Sequence, residues 1–123
     1  MVDIDKLKKS IKQLENALHY EDKIKDDSFY MAGISKIYEV SLEYFWKYLR
    51  NIILDQGFDE IYGPKDTIRK AAQINLINNP EIWIDFINQR NLAVHDYAKI
   101  TDEDYLQSAK DYLKEVKKIK FKN

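Results

Sequence analysis

The chain has 123 residues, with 20 Lys plus Arg against 21 Asp plus Glu and a formal net charge of -1. Hydrophobic residues make up 45% and charged residues 33%, a globular composition, and the length suits one domain over residues 1–123 with a core of its own. The absence of Cys excludes disulfides, thiolate catalysis and Cys-ligated metal centres; two His (His19 and His95) are too few for a His-rich metal site; and near-neutral charge argues against a protein that coats nucleic acid unspecifically.

Three Gly and two Pro are too few to punctuate a many-stranded fold or to build a glycine-rich phosphate loop. No segment approaches the run of about 18 apolar residues that spans a bilayer. The start, Met1-Val2-Asp3-Ile4-Asp5, lacks the basic and apolar stretches of a signal peptide. The expected location is cytoplasmic, with no membrane association.

The pattern is helical almost throughout. Ile4, Leu7, Ile11, Leu14 and Leu18 step by three and four, the stripe of a first helix with Asp3 as its N-cap. Polar residues from Glu21 to Asp27 link it to a long second helix, about Ser28 to Gln56, carried by Met31, Ile34, Ile37, Tyr38, Leu42, Phe45, Leu49, Ile52 and Ile53 and stopped by Gly57. Gly33 lies inside that helix, where close packing against a neighbour is the expected reason for it. Gly63-Pro64 opens a third helix with Ile68, Ala71, Ala72 and Leu76 on its buried side. Asn79-Pro80-Glu81 opens a fourth, with Asn as cap, and Thr101-Asp102-Glu103-Asp104 a fifth, with a hydroxyl cap and three acids at the positive end of the dipole. The predicted architecture is an all-α up-and-down bundle of four to five helices. The last fourteen residues carry six Lys against Asp111 and Glu115. They suit either a helix C-terminus or a surface facing phosphate. Nine tyrosines are expected to serve packing, and His19 to be an ordinary boundary residue.

The informative segment is Trp83 to Tyr97, WIDFINQRNLAVHDY. Apolar positions 83, 86 and 87 continue at 90, 91 and 94 on the helical period. Val94 fits, but Arg90 and Asn91 place a guanidinium and an amide where core side chains are due. Such groups need partners, a crevice or an interface. His95 follows Asn91 by one turn, and Tyr97 follows Arg90 by seven residues, so the four are expected to converge on one arc of one helix. Tying this helix to its neighbours is the alternative role for Arg90 and Asn91.

Arg90-Asn91-x-x-x-His95 resembles the Arg-x4–6-His signature of HEPN domains, which are helical bundles. The longer form with Tyr97 resembles the toxin of HEPN–MNT toxin–antitoxin pairs. Tyr38-Glu39-x-x-Leu42-Glu43-x-x-Trp46-Lys47 is similar to a helix of the nucleotidyltransferase substrate-binding protein family, the HEPN branch encoded beside a minimal nucleotidyltransferase (MNT). Gly63-Pro64-Lys65-x-x-Ile68-Arg69-x-Ala71 and Trp83-x6-Arg90-Asn91 match later stretches of that family in order and spacing. Two positions depart from the pattern. Val94 stands where a small hydroxyl residue usually precedes the motif His, and Asp96 puts a carboxylate between His95 and Tyr97.

The resemblance implies a metal-independent ribonuclease that acts as a homodimer, with no cofactor. Attack by a 2′-hydroxyl on the adjacent phosphate needs a proton carrier, which His95 offers, and a cation for the growing negative charge, which suits Arg90. Asn91 can orient the ring or donate to a phosphate oxygen. One motif per chain is sparse for acid–base chemistry, and a symmetric dimer supplies two. The resemblance further implies an MNT partner, encoded nearby, that silences the site by adding AMP to Tyr97. The alternative is a non-catalytic subunit that presents a nucleotide or other substrate to the transferase; a third option is a structural adaptor. The chain is not itself the transferase. Asp3-Ile4-Asp5 and Asp102-Glu103-Asp104 have Asp-x-Asp spacing, but both sit at helix starts and no Gly-Ser dipeptide exists.

Overall fold

The computed structural model describes residues 4–121. Among them are five α-helices and no strand: α1 (Ile4–Leu18), α2 (Ser28–Asp55), α3 (Pro64–Gln73), α4 (Pro80–His95) and α5 (Asp102–Val116). Single 3₁₀ turns at Glu21–Lys23 and Tyr97–Lys99 complete the order. The all-α bundle predicted from periodicity is the fold observed. The predicted cap at Asp3 lies outside the described residues.

Local chemistry sets most helix ends. The Asp27 carboxylate accepts from the Phe29 amide, 2.9 Å, at the start of α2, and the Thr101 hydroxyl accepts from the Asp104 amide, 3.0 Å, at the start of α5. Gly57, at φ 93, takes the left-handed conformation that ends α2. The third helix is shorter than its apolar spacing predicts. Asn75 turns left-handed at φ 64, its amide bonds to Ala72 O and the Leu76 amide reaches back 2.8 Å to Ala71 O. This is a Schellman closure, so Leu76 packs from the connection and not from the helix. Asn79 is the N-cap residue of α4 but departs from expectation. It is left-handed at φ 52 and ψ 58, and its side chain caps nothing.

At about 42 Å, α2 is the central element. It packs against α1, α3 and α5, each helix packs on its neighbour in the chain, and α1 also meets α5. The core joins Leu7 and Leu14 of α1, Tyr38, Phe45 and Leu49 of α2, Ile68 of α3, Trp83 and Phe86 of α4 and Tyr112 of α5. Burying each such side chain contributes about 1.5–3 kcal/mol. Two polar links cross this core. Ser41 and Tyr112 share a hydrogen bond of 2.7 Å that Ser10 extends at 3.1 Å, and Tyr38 meets Ser108 at 2.7 Å. Burial pushes the Tyr38 and Tyr112 phenols well above their usual range, so they remain neutral packing groups.

Gly33 does not follow the expectation of close packing. A Cβ there would meet nothing within 4 Å. Several terminal lysines are tied to acids: Lys110 to Glu21 at 3.0 Å, Lys118 to Glu115 at 3.0 Å, and Lys117 to Glu15. No helix among the described residues is long and apolar enough to cross a membrane.

Candidate functional site

One face of α4 is clamped to the core. Trp83, Phe86 and Ile87 are buried, and the Trp83 ring stacks on Phe45 of α2 with centroids 4.5 Å apart. The same stripe then leaves the core. Arg90 and Asn91 are half-buried, and Val94 is 43% exposed. The pattern that made Arg90 and Asn91 conspicuous thus reflects a stripe that becomes partly exposed toward the end of the helix.

Arg90 is held from two sides. One guanidinium nitrogen donates to Asn91 Oδ1 at 3.1 Å, and the other lies 3.6 Å from Glu39 Oε1 on α2. One turn along α2, the Glu43 carboxylate accepts from the Trp46 indole and the Lys47 ammonium, both at 3.0 Å. Burial is the largest single influence on Glu43 and pushes its carboxyl up. The bonds from Trp46 and Lys47, with the positive charges of Lys47 and Arg90, outweigh it and hold the carboxyl below its usual value.

Three clefts meet at Asn91. A narrow one runs between α2 and α4, where Glu39, Glu43 and Trp46 face Arg90. A second, about 250 Å³, is bounded by Tyr62, Pro64, Lys65 and Asp66 at the start of α3. The third is an open groove of about 500 Å³ shared by Asn91, Leu92, His95 and Asp96. Arg90 and His95 therefore line separate clefts that have Asn91 as a shared wall.

Tyr97 does not share their arc. The helix ends at His95, because Asp96 leaves helical geometry at φ -147 and ψ 57, and Tyr97 opens the following 3₁₀ turn, 72% exposed. Spacing by seven assumes that the helix continues, and here it does not. The Asp96 carboxylate pairs with Lys99 at 3.2 Å, which offsets its charge beside His95. His19 is exposed just past the end of α1, away from these clefts. No group of three His, Asp or Glu side chains among the described residues is arranged to hold a metal ion.

Sequence reasoning about chemistry passed over Glu39, Glu43, Tyr62 and Lys65. Glu39, Glu43 and Trp46 recur at helical spacing, which places them on one strip of α2 beside the buried Tyr38 and Leu42. That strip was the available signal. Nothing local indicates which helix it faces.

Residues 2–122 match the family described as "Nucleotidyltransferase substrate binding protein like". A relative is the "Probable ribonuclease HepT" of Haemophilus influenzae, 27% identical over 85 residues. That alignment covers 67% of this chain and 58% of the relative, so the chain spans less than two thirds of that protein's length. Since the family match runs almost end to end over a helical bundle with an Arg-x4-His helix, the chain belongs to the nucleotidyltransferase substrate-binding family of HEPN-type proteins.

Proposed function

We propose that the protein is the toxin-like subunit of a HEPN–MNT pair and a metal-independent endoribonuclease whose site forms between two copies of the chain. The observation that carries this reading is that Arg90 and His95, on successive turns near the end of α4, line adjoining clefts that share Asn91 as a wall. A second copy packed face to face on Val94 would bring two Arg90 and two His95 into one cleft. One His95 takes the proton of the RNA 2′-hydroxyl as that oxygen bonds to phosphorus. The P–O5′ bond breaks, and the departing 5′-oxygen takes a proton from the other His95. The products are a 2′,3′-cyclic phosphate and a 5′-hydroxyl, with Arg90 carrying the negative charge that builds on the phosphoryl oxygens. Asn91 positions Arg90 through the bond to Oδ1. The name of the Haemophilus influenzae relative is in line with this class of reaction.

Control by the partner completes the proposal. The Tyr97 oxygen attacks the α-phosphorus of ATP, held by the nucleotidyltransferase. Pyrophosphate leaves, and the phenolic proton passes to solvent or to a base of the transferase. The AMP then places a negative charge and a base beside the cleft, where it pairs with Arg90 and repels RNA. The exposure of Tyr97 suits access by a second protein.

A second reading has its own support. Glu39 already faces Arg90, and Asp96 borders the groove of His95, an arrangement that suits holding a substrate for the transferase as well as cutting it. The deciding experiment is cleavage of single-stranded RNA by the purified protein with EDTA present. Cleavage that persists in EDTA and is lost in His95→Ala is the expected result. Loss of cleavage in EDTA, or its survival in His95→Ala, overturns the mechanism, and no cleavage by wild type favours presentation.

A further inference from the structure

The cleft between Tyr62 and Asn91 has no part in the chemistry described above. Gly63 sits at φ 151 and ψ -168, a conformation open essentially to glycine, and turns the chain sharply into α3. This turn leaves Tyr62 80% exposed, the most exposed large apolar side chain among the described residues. Tyr62 nevertheless borders a cavity of about 250 Å³ with Lys65 and Asn91. Lys65 is half-buried and in no ion pair among the described residues, whereas the neighbouring Asp66 is taken up by Arg69 at 3.6 Å. Pro64 and Ile87 give the cavity an apolar floor. Asn91 is also its boundary with Arg90.

An exposed aromatic face, an unpaired cation and an apolar floor, side by side, are the components that hold an unstacked nucleotide. We propose that this cleft is a nucleotide subsite for single-stranded RNA. The base stacks on the Tyr62 ring, and the phosphate next to it binds Lys65, with Asn91 linking the subsite to the phosphate held by Arg90. A paired base keeps its stacking partners and cannot enter, so the subsite selects unpaired RNA. The inference rests on the ribonuclease reading above for its substrate class, and it adds a recognition site one step along the strand from the bond that is cut.

The test separates binding from cleavage. A fluorescent single strand of uniformly 2′-O-methylated RNA cannot be attacked by its own 2′-oxygens, so its anisotropy reports binding alone. Tyr62→Ala should weaken binding by roughly tenfold, the scale of one lost base stack, whereas Tyr62→Phe keeps affinity within about twofold. Lys65→Ala should weaken binding and lower the salt dependence by about one phosphate contact. Phe29→Ala, an exposed ring about 15 Å back along α2 from Glu39, should leave affinity unchanged. The corresponding duplex should bind more weakly than the single strand. Wild-type affinity in Tyr62→Ala, equal binding of duplex and single strand, or no binding by wild type at high micromolar concentration each overturns the subsite. So does a loss of affinity that tracks a loss of dimer in sedimentation, since Tyr62 would then belong to a protein interface. Cleavage of unmodified RNA is scored separately. Cleavage that depends on His95 but not on Tyr62 removes the subsite and keeps the ribonuclease reading. Binding that depends on Tyr62 without any cleavage does the reverse.

Discussion

Arg90 on α4 and Glu39 on α2 stand 3.6 Å apart, each with about a quarter of its side chain exposed (27% and 26%). The pair bridges two helices and holds the guanidinium in the cleft between them. It uses one side of the fork, and Asn91 takes another donor. The proposed mechanism uses the remaining N–H groups for phosphate. Arg90→Ala should abolish RNA cleavage by more than about 100-fold while costing about 1 kcal/mol or less of stability, the scale of a partly exposed pair. A large fall in Tm with cleavage retained would assign Arg90 to holding the bundle together. Glu39→Gln removes the negative charge beside Arg90, which would oppose a phosphate in the proposed site. Several-fold tighter binding of 2′-O-methylated RNA is expected in a titration, and weaker binding would show that the carboxylate is needed to aim Arg90.

Val94 extends the buried stripe of α4 into solvent at 43% exposure. Sedimentation at high micromolar concentration should show a dimer of the wild-type chain. Val94→Lys should shift it to monomer with unchanged helical content, because a substitution at a half-exposed site costs a folded monomer only about 0.5 kcal/mol. A wild-type monomer in the absence of any partner counts decisively against the composite site.

Incubation with the cognate transferase, ATP and magnesium should raise the intact mass in multiples of AMP. Peptide mapping should place the additions on Tyr97, and Tyr97→Phe should remain unmodified and active. Silencing by complex formation alone, with Tyr97 unmodified, would leave the partner a steric inhibitor.

Glu43 sets an acid dependence. Its carboxyl titrates below the ordinary 4.5 in the folded chain. The stabilisation it gives is therefore complete above that value and is lost as pH falls through the lower folded value. Glu43→Gln should leave Tm unchanged in its pH dependence above about pH 5 and flatten the decline as pH falls below that range. Thermal unfolding across that range checks it, and parallel curves for variant and wild type would remove Glu43 from the acid limb.

The helices were legible because their causes are local. The three-and-four spacing of Ile4, Leu7, Ile11, Leu14 and Leu18, Pro at the first position of α3 and α4, Gly57 after α2 and the Thr101 cap act within a few residues of one another. Local misjudgements had local reasons as well. Leu76 keeps the apolar period of α3 although the left-handed Asn75 has already closed the helix. Asp96 breaks α4 before Tyr97, and no Gly or Pro announces the break.

By itself the sequence determined an all-α bundle of four to five helices, their core faces, and the placing of Arg90 and Asn91 one turn before His95 on one helix, though it wrongly carried that helix on to Tyr97. Those follow from a 3.6-residue period and short-range capping, which any segment carries within itself. Only the tertiary structure decided that Arg90 meets Glu39, fifty-one residues earlier in the chain, that Asn91 joins three clefts, and that Tyr62 and Lys65 border one of them. The physical reason is that such neighbours are set by how α2, α3 and α4 pack. That packing is fixed by the combined burial of side chains such as Phe45, Ile68, Trp83 and Tyr112 from four helices at once.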